Sequence, residues 1–203
     1  MTLGAVILAA GAGTRLGGVA KALLRGPDGR TFLARIVDTA REVGVACPIV
    51  VVGSPFGAAV GREVDRLGAA SVINPDPARG MASSVAVGFT ALGEASGQAA
   101  AAVPFTGVEA AFLWPVDHPA VLPATLRALR DALGDHDAAR PTFAGRGGHP
   151  PLIARSLFAR LATCGDLDGG ARSVLGAADT LDVAVDDPGC VRDVDTARDL
   201  EAV

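Results

Sequence analysis

The chain has 203 residues, 50% hydrophobic and 20% charged, with a formal net charge of −4. That length suits one α/β domain over residues 1–203 that buries roughly 70% of its unfolded surface. The acidic balance argues against a nucleic-acid groove or an anionic membrane surface as partner. No stretch approaches the roughly 18 apolar residues of a membrane span, and the apolar start lacks the basic leader of a secretory signal. Cys47, Cys164 and Cys190 are far apart and have no metal-ligand spacing. An odd count without pairing suggests reduced thiols in a cytoplasm.

The predicted elements alternate between strand and helix. Residues 5–9 form a first strand that runs into Gly11-Ala12-Gly13-Thr14-Arg15-Leu16-Gly17-Gly18, followed by Lys21. Glycines let backbone N–H groups approach an anion, Arg15 offers a planar fork to phosphate oxygens, and Lys21 offers a mobile point charge. The loop is not a Walker loop, because Gly-Lys-Ser/Thr is absent. Nor is it a full dinucleotide fingerprint: the third glycine would fall at Leu16, and residues 49–52 run into Gly53-Ser54-Pro55 without the ribose-binding carboxylate. A plain strand-to-helix turn also fits the glycines, but it needs neither cation.

Thr31 then caps a helix with the apolar face Phe32, Leu33, Ile36, Val37, Ala40 and Val43, and Gly44 stops it. Residues 48–52 are a buried second strand and 71–73 a short third one, ending at Asn74-Pro75. Met81, Val85, Phe89 and Leu92 form the stripe of another helix. Residues 94–107, rich in Ala, Gly and Ser, read as a flexible loop. A strand over 110–116 ends at Asp117; Leu126, Leu129 and Leu133 mark a helix that stops at Gly134. Residues 140–143 read as a strand, 145–151 as a glycine-proline loop, 156–163 and 170–177 as short helices, and 181–185 as a late strand. Thr196-x-x-Asp199 resembles a capping box before a final short helix. Such alternation predicts a mostly parallel sheet with helices on both faces, whose ligands sit beyond the carboxyl ends of the strands.

Four segments carry candidate chemistry. Asp117, at a strand tip, suits Mg²⁺, which takes hard oxygens and few of them from protein; a helix cap or turn aspartate is the plainer reading. Asp193 and Asp195 share a face of an extended segment, which fits a second metal carboxylate or a solvated turn. Ser83 and Ser84 fit helix capping, ligand contact or both. His149, in the glycine-proline loop, has no catalytic partner by spacing and by itself reads as a turn residue.

Taken in order, these segments resemble the MobA-like nucleotidyltransferases, most closely the molybdenum-cofactor cytidylyltransferase branch. Leu8-Ala9-Ala10-Gly11-x-Gly13-x-Arg15-Leu16-Gly17 with Lys21-Ala22-Leu23-Leu24 matches the signature loop. Asn74-Pro75 with Gly80-Met81-x-x-Ser84, Val116-Asp117-His118-Pro119, Gly148-His149-Pro150 and Asp193-Val194-Asp195-Thr196-x-x-Asp199-Leu200 match later motifs. Gly165-Asp166-x-x-Gly169-Gly170-Ala171-Arg172 is similar to a further family segment with one extra residue. Ala197-Arg198 departs from the usual Pro-Glu, and Trp114 is unusually large for its position.

The resemblance implies a single Rossmann-like nucleotidyltransferase domain and Mg²⁺-dependent transfer of NMP from an NTP to a phosphate acceptor, with release of pyrophosphate. It implies that Ala9, Ala10, Gly11, Gly13, Gly80 and Ser84 contact the nucleotide and that Arg15 and Lys21 bind its phosphates. Asp117 and Asp195 would hold Mg²⁺, and His149 would lie on the acceptor side. Ala10, where the guanylyl branch usually has glycine, favours CTP; molybdopterin is then the favoured acceptor, and a molybdoenzyme or its maturation factor a possible partner. GTP or a sugar phosphate as substrate is the enzymatic alternative. A non-catalytic nucleotide-binding partner in molybdoenzyme maturation, or an NAD- or flavin-dependent reductase, represents a different class. Retention of Lys21 and Asp117 speaks against the non-catalytic partner.

Overall fold

The computed structural model describes residues 1–11, 13, 17–94, 107–195 and 199. Within them an eight-stranded sheet carries the strands β1 (Leu3–Leu8), β2 (Ile49–Gly53), β3 (Ala70–Asn74), β4 (Ala110–Pro115), β5 (Ala138–Phe143), β6 (Arg146–Gly147), β7 (Leu152–Ala154) and β8 (Thr180–Ala184). The strand order is β3-β2-β1-β4-β7-β5-β6, with β8 paired to β5. Strands β3, β2, β1 and β4 run parallel, β7 is antiparallel to both of its neighbours, and β8 is parallel to β5. The expected mostly parallel sheet is therefore present, with one reversed strand in its middle.

Sequence accounts for the inner strands. β2, Ile-Val-Val-Val-Gly, is buried at every position, as β-branched strands covered on both faces should be. Side-chain alternation divides β1 between two cores. Ala5 and Ile7 pack with Leu33, Ile36, Val60, Leu126 and Leu129, which belong to α1 (Phe32–Glu42), α2 (Gly57–Arg66) and α4 (Pro123–Ala132). Val6 and Leu8 pack with Val85, Phe89, Leu161 and Val174, on α3 (Met81–Glu94), α5 (Phe158–Ala162) and α6 (Gly170–Gly176). Helices thus cover both faces. Thr31 caps α1 as expected: its hydroxyl accepts from the Ala34 N–H at 3.0 Å.

The elements α2, β6 and β7 have no counterpart among those expected from the sequence. α2 buries only Val60 and Val64, too sparse a stripe to stand out from its polar and small neighbours. β7 has three residues and directly follows Pro150-Pro151. The expected loop over 145–151 includes β6, which pairs with Thr142 and Phe143 as a short hairpin. The loop expected over 94–107 falls outside the described residues between 95 and 106, and Thr196 of the expected capping box lies outside them too. Among the described residues no helix is long and apolar enough to cross a membrane. Cys47, Cys164 and Cys190 are unpaired thiols.

Candidate active site

β1 and β4 end side by side, with Leu8 in register with Pro115. A cleft of about 540 Å³ opens at these carboxyl ends. It is lined by Ala9, Ala10, Gly11, Gly13, Lys21, Gly80, Ser84, Asp117 and Asp195, together with Leu8, Pro77, Met81, Pro115 and Val116. Every nucleotide or metal residue expected from the sequence is therefore gathered there except Arg15, which lies outside the described residues.

The backbone shapes this cleft. The Ala9 N–H is already bonded to the Val51 carbonyl at 2.9 Å, which removes it as a donor to a ligand. Gly13 has φ +57, and a Cβ there would meet the Val19 carbonyl oxygen at 1.9 Å. Only glycine permits this close return of the loop, which the Gly18 N–H closes on the Gly13 carbonyl at 3.0 Å. The loop delivers Lys21 to the cleft floor, where buried Ala22 anchors the short turn Lys21–Leu23. On the opposite wall the buried Asn74 amide donates to Ser83 Oγ at 2.8 Å and Ser84 Oγ at 2.9 Å. Ser83 donates back to the Gly80 carbonyl and so braces the turn before α3, while Ser84 lines the cleft.

Charge is concentrated on three side chains. Lys21 Nζ lies 3.3 Å from Asp117 Oδ2 and also donates to Asp195 Oδ1. A single ammonium thus occupies the point where two carboxylates from distant segments converge. Hard oxygens around a cation are what Mg²⁺ or Mn²⁺ requires, with its remaining positions left to water and phosphate. Asp117 and Asp195 fit that role, and Lys21 marks the place. Among the described residues no group of three or more His, Cys, Asp or Glu side chains forms a metal-binding set.

The turn after β4 is fixed from below. Trp114 is fully buried, and its indole N–H donates to the His118 carbonyl at 3.0 Å. The unusual size of Trp114 thus serves the turn that presents Asp117, because an indole both fills the core and reaches a partner with its polar edge.

A second cavity of about 850 Å³ adjoins the first and shares Leu8, Met81 and Pro115 with it. His149 lines this cavity and not the first, and Arg140 and Arg172 line it as well. Neither arginine has a local pattern that marks it for the site, although Arg172 belongs to the segment Gly165-Asp166-x-x-Gly169-Gly170-Ala171-Arg172. Arg140 is held by Asp182 through paired bonds of 2.8 and 2.9 Å, which raise its pKa and lower that of Asp182. The His149 and His118 rings stand 4.9 Å apart. Burial pushes the His149 pKa down to about 4, reinforced by the neighbouring His118. Burial also lowers that of His118, outweighing the pull of Asp117 and Asp193. Both imidazoles are neutral near pH 7, so His149 offers a ligand a hydrogen bond without a charge.

The family described as the MobA-like NTP transferase domain matches residues 5–182. No curated protein matches the chain. Among solved structures, Rv0371c of Mycobacterium tuberculosis is 30% identical with a TM-score of 0.76, covering 100% of this chain and 98% of that one. A second structure of Rv0371c, in complex with manganese, is 29% identical with a TM-score of 0.75 and covers 100% of both chains. Molybdopterin-guanine dinucleotide biosynthesis protein A from Archaeoglobus fulgidus is 15% identical with a TM-score of 0.66, covering 98% of this chain and 95% of that one. At that identity the likeness extends to the fold alone.

Proposed function

The chain belongs to the MobA-like NTP transferase family and is a nucleotidyltransferase; we propose that it moves CMP from CTP to the phosphate of molybdopterin in the cytoplasm. The observation that carries this reading is the pair of adjoining cavities, one with Lys21, Asp117 and Asp195 and the other with His149, Arg140 and Arg172. Two substrates must meet at one phosphorus, and the shared wall of Leu8, Met81 and Pro115 is where they would meet. The preference for CTP follows from Ala10, which lines the nucleotide cleft.

An oxygen of the acceptor phosphate attacks the α-phosphorus of the NTP. A new P–O bond forms, the bridging α–β P–O bond breaks, and pyrophosphate leaves with the electron pair. No protein nucleophile is needed, and catalysis is positioning and charge neutralisation. Ala9, Ala10, Gly11 and Gly13 lie against the nucleoside, with Gly80 and Ser84 opposite. Lys21 and Arg15 neutralise the departing pyrophosphate. A divalent ion held by Asp117 and Asp195, Mg²⁺ in this reading, would withdraw charge from the reacting phosphate; the manganese complex of Rv0371c supports a divalent site in this fold. His149 donates to the acceptor, and the Arg140 and Arg172 cations attract its anionic group.

The test is a screen of the four NTPs with Mg²⁺ and molybdopterin, with pyrophosphate release as the readout. CTP-dependent release that needs the acceptor is expected. Release with a sugar phosphate but not with molybdopterin would reassign the acceptor, and nucleotide binding without release under any pairing would leave a binding protein.

A further inference from the structure

Asp187 lines neither cavity, yet it is 2% exposed and both its oxygens are in use. Oδ2 accepts from the Leu122 N–H at 2.9 Å and the Thr125 hydroxyl at 2.6 Å, and Oδ1 accepts from the Gly189 N–H at 2.9 Å. The carboxylate therefore joins the start of α4 to the turn Pro188–Val191, which it caps. From there the chain crosses the site as a strap. A Cβ on Gly189 would stand 2.4 Å from the Ala120 carbonyl oxygen, so the strap lies directly on the turn after Asp117. The His149 N–H donates to the Cys190 carbonyl at 2.7 Å, and the Val194 N–H to the Asp117 carbonyl at 2.9 Å. Cys190 and Val194 are wholly buried. The next residue is Asp195.

From this geometry we infer that Asp187 is a positioning residue for the divalent-ion site, setting the place of the Asp195 carboxylate through the strap. Asp195 lies beyond the last strand; its N–H donates to Asp199 Oδ2 at 3.1 Å and its carboxylate accepts from Lys21, while the strap fixes the preceding residue, Val194, on the Asp117 carbonyl and so sets the register of the two carboxylates. A carboxylate is required at 187 because all three of its partners donate. An amide would turn an N–H toward one or more of those donors and leave buried groups unmatched. The inference rests on the reading of Asp117 and Asp195 as the metal ligands.

The test is Mn²⁺ binding without nucleotide, followed by the EPR signal of the free ion. The proteins are wild type, Asp187→Asn, Asp195→Ala and their double variant, with Leu161→Ala as a control. Leu161 is buried in the opposite core, so its truncation lowers Tm without touching the strap. Asp187→Asn should weaken Mn²⁺ binding about 10–100-fold, as loss of an orienting partner does. The double variant should bind no more weakly than Asp195→Ala alone, and Leu161→Ala should keep the wild-type affinity. Wild-type affinity in Asp187→Asn, or weakening that adds to that of Asp195→Ala, overturns the inference and leaves the metal reading standing. Mn²⁺ failing to bind even wild type overturns both. If Asp187→Asn does not fold, Thr125→Val decides: a smaller weakening, absent in the Asp195→Ala background, is expected, and unchanged affinity overturns the inference.

Discussion

The ammonium of Lys21 stands 3.3 Å from Asp117 Oδ2 while also donating to Asp195 Oδ1, across sequence separations of 96 and 174 residues. The lysine side chain is 15% exposed and each carboxylate 24%, so the cluster is only partly open to water and less screened than a surface pair. A divalent ion seeking the same oxygens meets the lysine as a competitor. Metal loading would then release Lys21 toward the phosphates of the incoming nucleotide.

This competition gives a prediction with opposite signs in two assays. Lys21→Ala should bind Mn²⁺ more tightly than wild type without nucleotide, because two carboxylates lose their internal partner. The same variant should lose about 10²–10³ in turnover, the usual consequence of removing one preorganised charge contact. Arg15→Ala should lose turnover comparably. Calorimetric titration and pyrophosphate release measure the two effects, and weaker Mn²⁺ binding by Lys21→Ala would remove the competition.

Asp117→Ala should abolish metal-dependent turnover, and Asp195→Ala should weaken it. Asp117 sits on a turn fixed by Trp114 and by the Val194 N–H, whereas Asp195 follows the strap and lies outside the sheet. Mg²⁺ titration of activity in each variant distinguishes them. Wild-type metal dependence in Asp117→Ala would place the ion elsewhere.

Competition between CTP and GTP should favour CTP. Ala10 is 4% exposed, and its Cβ packs into the core beneath the cleft, so the backbone there cannot sink to admit a larger base. A purine would leave buried polar groups unpaired. A clear GTP preference in competitive binding would move the chain to the guanylyl branch.

His149→Ala should raise KM for the acceptor and leave NTP affinity nearly unchanged, since His149 lines only the second cavity. Steady-state kinetics with each substrate varied in turn supply the comparison. Equal weakening toward both substrates would indicate a disturbed loop instead.

The same histidine predicts a pH effect on stability. Its pKa falls from the ordinary 6.5 to about 4 on folding, so between those values the unfolded chain binds a proton that the native chain does not. Stability is therefore full above pH 6.5 and declines as pH drops toward 4, by on the order of 3 kcal/mol for this group. Thermal melts across that window should show the decline, and His149→Gln should flatten it. A variant with an unaltered slope would assign the effect to other groups.

Local sequence determined much of this protein. The β-branched run at 49–52 announces a buried strand by composition, and the Thr31 cap is a contact with Ala34 three residues on; both can be read locally. The candidate residues were legible as residue types in context: Lys21 after the glycine loop, Asp117 at a strand tip, Asp195 in a late acidic pair, and His149 as part of a family motif. Tertiary structure alone decided how they meet. β7 enters the sheet reversed through pairing with β4 and β5, which three residues after two prolines cannot announce. The ion pairs of Lys21 span most of the chain, and no local pattern encodes such a distance. Trp114 and Asp187 take their meaning only from what they touch, a carbonyl four residues ahead and donors on α4. Propensity acts along the chain, whereas hydrogen bonds and charge act through space, and the site is built almost wholly from the second kind.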